Sequence, residues 1–423
     1  MFKVKKHVLL NGLKVILVEM PNSPTTTVEV LTETGSKYET KKEAGLSHFL
    51  EHMCFKGTKQ RPSALAVSKA LDELGAISNA YTSTEVTAYW AKASFEHTLK
   101  MLDIISDIYV NPIFKKEDLE KEKGVITEEI NMYKDQPQAI VGEVFDLAMH
   151  GNQPAGLPVI GNKKSITSFK VEDFYKYRAK HYVLNATTVV VAGRIIEKDV
   201  LETIKSGFSK VFRAKKHGKK KTKITHRTPR IVHKYKDTDQ AHIILGLRSF
   251  PYGDKRNLVL RVITGVLSSG MSSRLFHKLR EELGICYYVH ALNSPSTDHG
   301  EFGIASGVDP KRIDHAVKAI MSELRRLKEE LVPLEELKKA KTSLISKIRM
   351  SLETSEKVLD YFATRAIFYK DLKDPKEIEK DISAVTPKDI QNLAKQVFKN
   401  KDLLLAIVSK NANKPKLQKI LKF

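Results

Sequence analysis

Cysteine is nearly absent: the 423 residues hold two, Cys54 and Cys286. One pair cannot build a disulfide framework, and the scarcity fits a reducing compartment. Long hydrophobic runs are missing too. Nothing approaches the roughly 20 apolar residues that cross a bilayer. The opening MFKVKKHVLLNGLKVILVE lacks the h-region and cleavage site of a signal peptide. It reads as a β-hairpin turning at Asn11-Gly12, so an exported or imported precursor is not expected and a cytoplasmic location is the default. Acidic residues are the third shortage, 50 against 72 basic, for a net charge of +22. Such a balance suits a nucleic-acid partner or an acidic substrate. No aromatic stacking set or nucleic-acid motif accompanies it, however, and a lysine-rich soluble surface accounts for it without nucleic acid. Nine basic residues and no acidic one fall in RAKKHGKKKTKITHRTPR, residues 213–230, which has no hydrophobic periodicity and reads as an exposed linker.

The chain is too long for one ordinary core and suits two domains of about 200 residues or four smaller units. On either side of the basic segment it repeats itself. VEVLTETGSKYETKKEAGLSHFLEH, from Val28, aligns without gaps on HIILGLRSFPYGDKRNLVLRVITGV, from His242, as a strand, a turn holding Tyr38 or Tyr252, and a helix. KALDELG from Lys69 matches KLREELG from Lys278. The stretch from Ile166 matches that from Ile382 as a helix, capped near Ser168 or Thr386, followed by a buried strand. The expected fold is α+β: two homologous α/β-roll domains, 1–212 and 231–423, each an antiparallel-rich sheet covered by helices and joined by the basic linker 213–230. The repeat is also an internal control. His48, Glu51 and His52 fall opposite Val262, Gly265 and Val266, so only the first half carries their chemistry.

In the helix around KEAGLSHFLEHMCFKG, a turn of 100° per residue gathers His48, Glu51 and His52 on one face, with Leu46, Phe49, Leu50 and Met53 opposite. Imidazoles at i and i+4 lie one above the other and can share one tetrahedral Zn²⁺, while Glu51 points the same way without being needed as a ligand. This is HExxH reversed, a zinc-peptidase signature. A third protein donor is required. On the helix LEKEKGVITEEINMY the wheel puts Leu119, Ile126, Ile130 and Tyr133 on an inward stripe, with Glu122 and Glu129 at its margin and Glu128 away from it. An inward carboxylate needs a cationic partner, so Glu129 or Glu122 is a better ligand than Glu128. Cys54 lies on another face of the motif helix and reads as packing.

GLSHFLEHMCFKGT, SNAYTSTEVTAYWAKAS, EKEKGVITEEINMYKDQP and SSRLFHKLREELGICYY together resemble the pitrilysin/insulinase family of zinc peptidases, and within it the two-domain chains typified by processing-peptidase subunits. The likeness runs over nearly the whole chain. It implies Zn²⁺ held by His48, His52 and Glu129, with Glu51 as the base that activates water and Glu122 as a supporting carboxylate. It also implies a peptide substrate bound as an added strand along Asn79 and Ala80, with Arg280 and Tyr287 reaching the substrate and the developing oxyanion. The reaction would be endopeptidase cleavage of unfolded or short polypeptides. Longer family members build a chamber from four such units, so two units imply a homodimer or a heterodimer with a related chain. VLSSGMSSRLF has only Gly270 where regulatory processing-peptidase subunits carry a glycine-rich loop, so the chain resembles the catalytic kind. The competing reading is a non-catalytic core or regulatory subunit, which loss of the HxxEH residues or of Glu129 would favour.

Overall fold

The structure, a computed structural model, describes residues 2–211, 214–224 and 230–423. They form two compact units. The first comprises Met1–Met132, Leu157–Lys220 and Ser351–Leu372; the second comprises Tyr133–Gly156, Lys221–Met350 and Lys373–Phe423.

Unit 1 is built on a sheet of six strands: β1 (Lys3–Val8), β2 (Lys14–Glu19), β3 (Thr25–Thr32), β4 (Ile77–Thr82), β5 (Thr87–Ser94) and β6 (Thr187–Gly193), in the order β1-β2-β6-β3-β5-β4. The opening hairpin forms as expected, with Val8 paired to Lys14 and Leu13 N donating to Asn11 Oδ1. The sequence decides which strands are central. TTVVVAG of β6 is buried at every residue, as a β-branched run covered on both faces should be, whereas ISNAYT of β4 alternates exposed and half-buried and lies at the edge.

One face of this sheet carries α1 (Leu46–Cys54) and α3 (Thr98–Val110), with α2 (Ala64–Asp72) beside α3 and the helix Val171–His181 beside α1. Phe49, Met53, Met101, Ile105 and Phe174 are fully buried there with Val28 and Val30. The other face is covered by the helix Ser355–Thr364, whose Val358, Leu359 and Phe362 pack with Ile16, Val18, Leu31 and Val190. Its first residue, Ser355, shares hydrogen bonds of 3.0 and 2.9 Å with the Thr25 and Thr27 hydroxyls of β3.

Unit 2 repeats the plan with five strands: β7 (Arg230–Tyr235), β8 (Ala241–Ser249), β9 (Cys286–Pro295), β10 (Gly300–Val308) and β11 (Leu404–Ser409), ordered β7-β11-β8-β10-β9. Strand for strand this is β2-β6-β3-β5-β4, and in both sheets only the first pair in that order is parallel. Even a chain-reversing detail recurs: the paired glycines of KALDELG and KLREELG, Gly75 and Gly284, have φ of 58° and 57°. The helix α4 (Lys116–Asp135) leads into α5 (Pro137–His150), which lies on this second sheet through Ile140, Val141, Phe145 and Met149 against Leu404, Ala406 and Val408. Gly246 of β8 admits Phe145, since a Cβ there would stand 2.4 Å from the ring.

Four details differ from the expectations. The compact units are not the sequence halves: α5 comes from the first half and clusters with unit 2, while the helix 355–364 comes from the second half and clusters with unit 1. Amphipathic periodicity tells a helix to bury a stripe, not against which sheet. The helix Val171–His181 begins at Lys170, not near Ser168, because Asp173 reaches back to accept from Lys170 N at 2.9 Å; the cap at Thr386 is where it was expected. Of the basic segment, residues 213 and 225–229 lie outside the described residues. Residues 214–224 have no regular structure but are pinned, Lys216 pairing with Glu33 and Lys219 with Glu85 at 2.5 Å, both within unit 1, and Arg230 already begins β7. Tyr133, expected inward, is 37% exposed at the end of α4.

Candidate metal centre

The site is built on α1, and a carboxylate fixes where that helix starts. Glu39 Oε2 accepts from Gly45 N at 2.8 Å and Glu39 Oε1 from Ser47 N at 2.6 Å, satisfying amides that the first turn leaves without helical partners. Burial nevertheless pushes the Glu39 carboxyl up to about 8, against the pull of those two amides. Gly45 precedes the helix at φ 90°, and a Cβ there would meet Ile160 O at 2.6 Å, so glycine is required twice over. From this fixed start Leu46, Phe49, Leu50, Met53 and Cys54 turn into the core, Cys54 receiving the Tyr89 hydroxyl at 3.4 Å. The opposite face is left to His48, Glu51 and His52.

The third donor comes from α4. Leu119, Ile126 and Ile130 anchor that helix in the core, Glu122 is 4% exposed, Glu129 is half-buried, and Glu128 lies in solvent. One donor atom from each of His48, His52 and Glu129 lies within 4.8 Å of the others. His48 Nε2 is 3.7 Å from Glu129 Oε1, and His52 Nε2 is 3.7 Å from Glu129 Oε2. These separations exceed a hydrogen bond. They are close to the edge of a metal tetrahedron, since Zn–N and Zn–O bonds of about 2.0–2.2 Å set donors roughly 3.3–3.6 Å apart. The two rings lie 4.7 Å apart between centroids.

The surroundings tune these donors. Glu122 Oε1 accepts a hydrogen bond from His52 Nδ1 at 2.8 Å, which leaves Nε2 to face Glu129; Lys56 Nζ holds the other Glu122 oxygen at 2.5 Å. A carboxylate behind a histidine in this way fixes the tautomer of a metal ligand. Burial raises the Glu122 pKa, but the hydrogen bonds from His52 and Lys56 outweigh it and hold the carboxyl below its usual range. Burial, helped by the neighbouring His52, brings His48 down to about 4, so its ring is neutral and can offer a lone pair. Among the described residues its Nδ1 has no hydrogen-bond partner, so packing orients that ring. For His52 burial opposes the charged ring, yet the Glu122 hydrogen bond and the charges of Glu51, Glu122 and Glu129 raise its pKa. Burial, then the charge of Glu122, raises Glu129 against the opposing pull of His52.

Glu51 stands outside the donor group. Its Oε2 accepts from the Thr82 hydroxyl at 2.5 Å, and burial raises its pKa despite that bond. Thr82 ends β4, the edge strand bearing Asn79 and Ala80, where Asn79 Oδ1 accepts the Ala80 amide at 2.9 Å. Two further candidates belong to unit 2. Arg280 lies in the π-helical turn His277–Glu282, a form common at functional sites. It donates to Tyr287 O at 2.5 Å, and Tyr287 is 69% exposed on β9.

Comparison with known proteins gives this geometry a family. The model of Insulinase (Peptidase family M16) matches residues 14–163, and that of the Peptidase M16 inactive domain matches residues 168–344. An uncharacterized zinc protease of Bacillus subtilis is 32% identical over 412 residues, covering 97% of this chain and 100% of that one. The chain belongs to peptidase family M16. Among solved structures, a protease from Helicobacter pylori has a TM-score of 0.89 at 23% identity, covering 96% of this chain and 100% of its own. Complex III₂ from Candida albicans contains a chain with a TM-score of 0.84 at 16% identity, covering 100% of both. These two likenesses are of fold. The M16 chain thus gathers His48, Glu51, His52, Glu122 and Glu129 in unit 1, with Asn79 and Ala80 on the strand that ends at Thr82.

Sequence reasoning missed Thr82, Lys56 and Glu39. Lys56 was within reach, standing four residues beyond His52 and just past the end of α1. Thr82 and Glu39 gave no signal, because each acts across a turn or sheet edge that no local periodicity encodes.

Proposed function

We propose that the chain is a zinc-dependent endopeptidase that hydrolyses unfolded or short polypeptides bound as an added strand on β4. The observation that carries this reading is the convergence of His48, His52 and Glu129 within 4.8 Å, with Glu51 beside them on the same helix face and not spent in the group. Two imidazoles and a carboxylate are the donor set of a catalytic zinc site with an open position. When bound, Zn²⁺ polarises the scissile carbonyl and acidifies water. The chain's own residues do the rest. Glu51 takes a proton from the attacking water and returns it to the leaving amine, its raised pKa bringing it nearer to neutrality. Thr82 holds the Glu51 carboxylate in place. Glu122, with Lys56 behind it, keeps the His52 proton on Nδ1. The unpaired edge of β4 offers backbone groups to an extended peptide, a mode of binding indifferent to most side chains.

Glu51→Gln tests the reading. The variant should keep its zinc and fold while peptide hydrolysis falls by about 10² to 10⁴ or more, because a base and not a ligand has been removed. Hydrolysis within tenfold of the unaltered chain would overturn the role of Glu51. A zinc-loaded unaltered chain that cleaves no unfolded substrate would instead favour a non-catalytic subunit.

A further inference from the structure

Unit 2 holds a second gathering of metal-type donors, made of residues from distant parts of the sequence. His150 ends α5, while His299 and Glu301 flank Gly300, the first residue of β10. One donor atom from each lies within 4.8 Å of the others. His150 Nε2 faces Glu301 Oε1, and the two imidazoles stand edge to face with centroids 4.5 Å apart. Behind His299, Asp298 Oδ1 lies 2.7 Å from Nδ1, and Asp298 Oδ2 accepts from Thr222 N at 2.8 Å. The side chains of His150, His299 and Glu301 are 6%, 12% and 13% exposed, so the group is largely withdrawn from solvent but still reachable.

A histidine–glutamate ion pair alone would explain two of these residues. It does not explain a second imidazole packed against the first, with a carboxylate of its own turned to Nδ1. A carboxylate on Nδ1 directs Nε2 toward a metal, the relation Glu122 has to His52. The helix adds to this. His150 occupies the last turn of α5, where the backbone dipole favours positive charge. Two imidazoles in contact resist both being protonated, whereas a shared cation needs both neutral.

We propose that His150, His299 and Glu301 form a second divalent-metal site, suited to Zn²⁺ or another borderline first-row cation, with water completing its coordination. It ties the C-terminal end of α5 to the hairpin between β9 and β10. Because α5 comes from the first half of the sequence and the hairpin from the second, the bound ion links two segments about 150 residues apart, His150 and His299. Its role is structural, and it is independent of the hydrolytic site.

Zinc is the probe. The full chain carrying His52→Ala, which disables the α1 site, is dialysed to equilibrium against micromolar free Zn²⁺ and its metal content measured. One ion per chain should remain, and it should fall to none when His299→Ala or Glu301→Gln is added. Zn²⁺ should raise the Tm of the His52→Ala chain and leave the Tm of either double variant unchanged. Circular dichroism before metal addition checks folding, and the milder Glu301→Gln serves if His299→Ala does not fold. Co²⁺ should give tetrahedral-type absorption in His52→Ala that the double variants lose. A His52→Ala chain that binds no zinc would overturn the site, as would retention of the full ion in both double variants. Failure of the α1 site alone would read differently, as one ion in the unaltered chain and no change on His52→Ala.

Discussion

Glu122 is the residue on which the α1 site turns without being counted among its donors. One of its oxygens holds His52 Nδ1 and the other Lys56 Nζ, so it spends its charge orienting a candidate donor. Glu122→Gln keeps the shape, loses the charge and should weaken zinc about 10- to 100-fold in chelator competition, whereas the exposed Glu128→Gln should change nothing. Equal affinities in the two variants would mean that His52 needs no such support. A second carboxylate has no metal role at all. Glu29, on β3, is 1% exposed, and a hydrogen bond from Tyr81 does not offset that burial. Burial, then the charge of Asp360, pushes its carboxyl up to about 8 from 4.5. The folded chain therefore holds a proton there that the unfolded chain gives up. Below the unfolded value both states are protonated; from there to about pH 8 stability falls as pH rises, by up to about 1.4 kcal/mol per pH unit for that one proton. Glu29→Gln should match the unaltered chain in urea unfolding at pH 4 and be more stable at pH 9. The same difference at both pH values would assign the effect to packing. At this scale the sequence brought out the candidate donors on α1, because i, i+4 spacing on a helix is geometry in one dimension. It was silent on Glu29, since nothing in VEVLT distinguishes a buried acid from a surface one. It was equally silent on His150, His299 and Glu301, which only the folded sheet brings together.

Among the described residues, β4 is one of the edge strands. It pairs with β5 alone, and on its outer side the Ala80 amide is held by the neighbouring Asn79 side chain instead of by another strand. An incoming peptide would replace that local bond with a strand-to-strand one. Ala80→Pro removes the N–H, and proline is tolerated on an edge where the ladder does not use that donor. One net hydrogen bond is worth about 0.5–1.5 kcal/mol, so kcat/KM for an unfolded substrate should drop roughly two- to tenfold with zinc content and Tm little changed. Unaltered kcat/KM would argue that substrate pairs elsewhere. The order of elements was largely legible, because the repeat forced β3 and β8, α1 and Arg256–Ser268, and Val171–His181 and Pro387–Val397 into matching places. What was not legible was the destination of two helices. PQAIVGEVFDLAMH and SEKVLDYFAT each show an apolar stripe, but Gly246, which makes room for Phe145 of α5, and Ser355, whose hydroxyl meets Thr25 and Thr27, are specific contacts that only the folded chain displays.

For the whole molecule, the basic excess loses part of its mystery once Lys37 and Lys219 are seen on the buried Glu85, and Lys216 on Glu33. Lysines of the segment read as a bare linker neutralise acids on unit 1, so no nucleic acid is needed to explain them. The resemblance implies a chamber of four units, of which two repeated units are half, and the hypothesis carried from the sequence is a dimer in which Arg280 and Tyr287 serve the zinc site of a partner chain. The idea has a decisive form. In a dimer mixed from Glu51→Gln and Arg280→Ala chains, action in trans gives one site with an intact Glu51 and an intact Arg280, while action in cis gives none. Each variant alone should be nearly inactive, and mixing under conditions that allow chains to exchange should restore activity toward the level expected for one working site in each mixed dimer. A mixture that stays inactive while exchange of differently tagged chains is demonstrated would place the pair in cis. Sedimentation as a monomer at working concentration would remove the partner altogether and return Arg280 to its own chain.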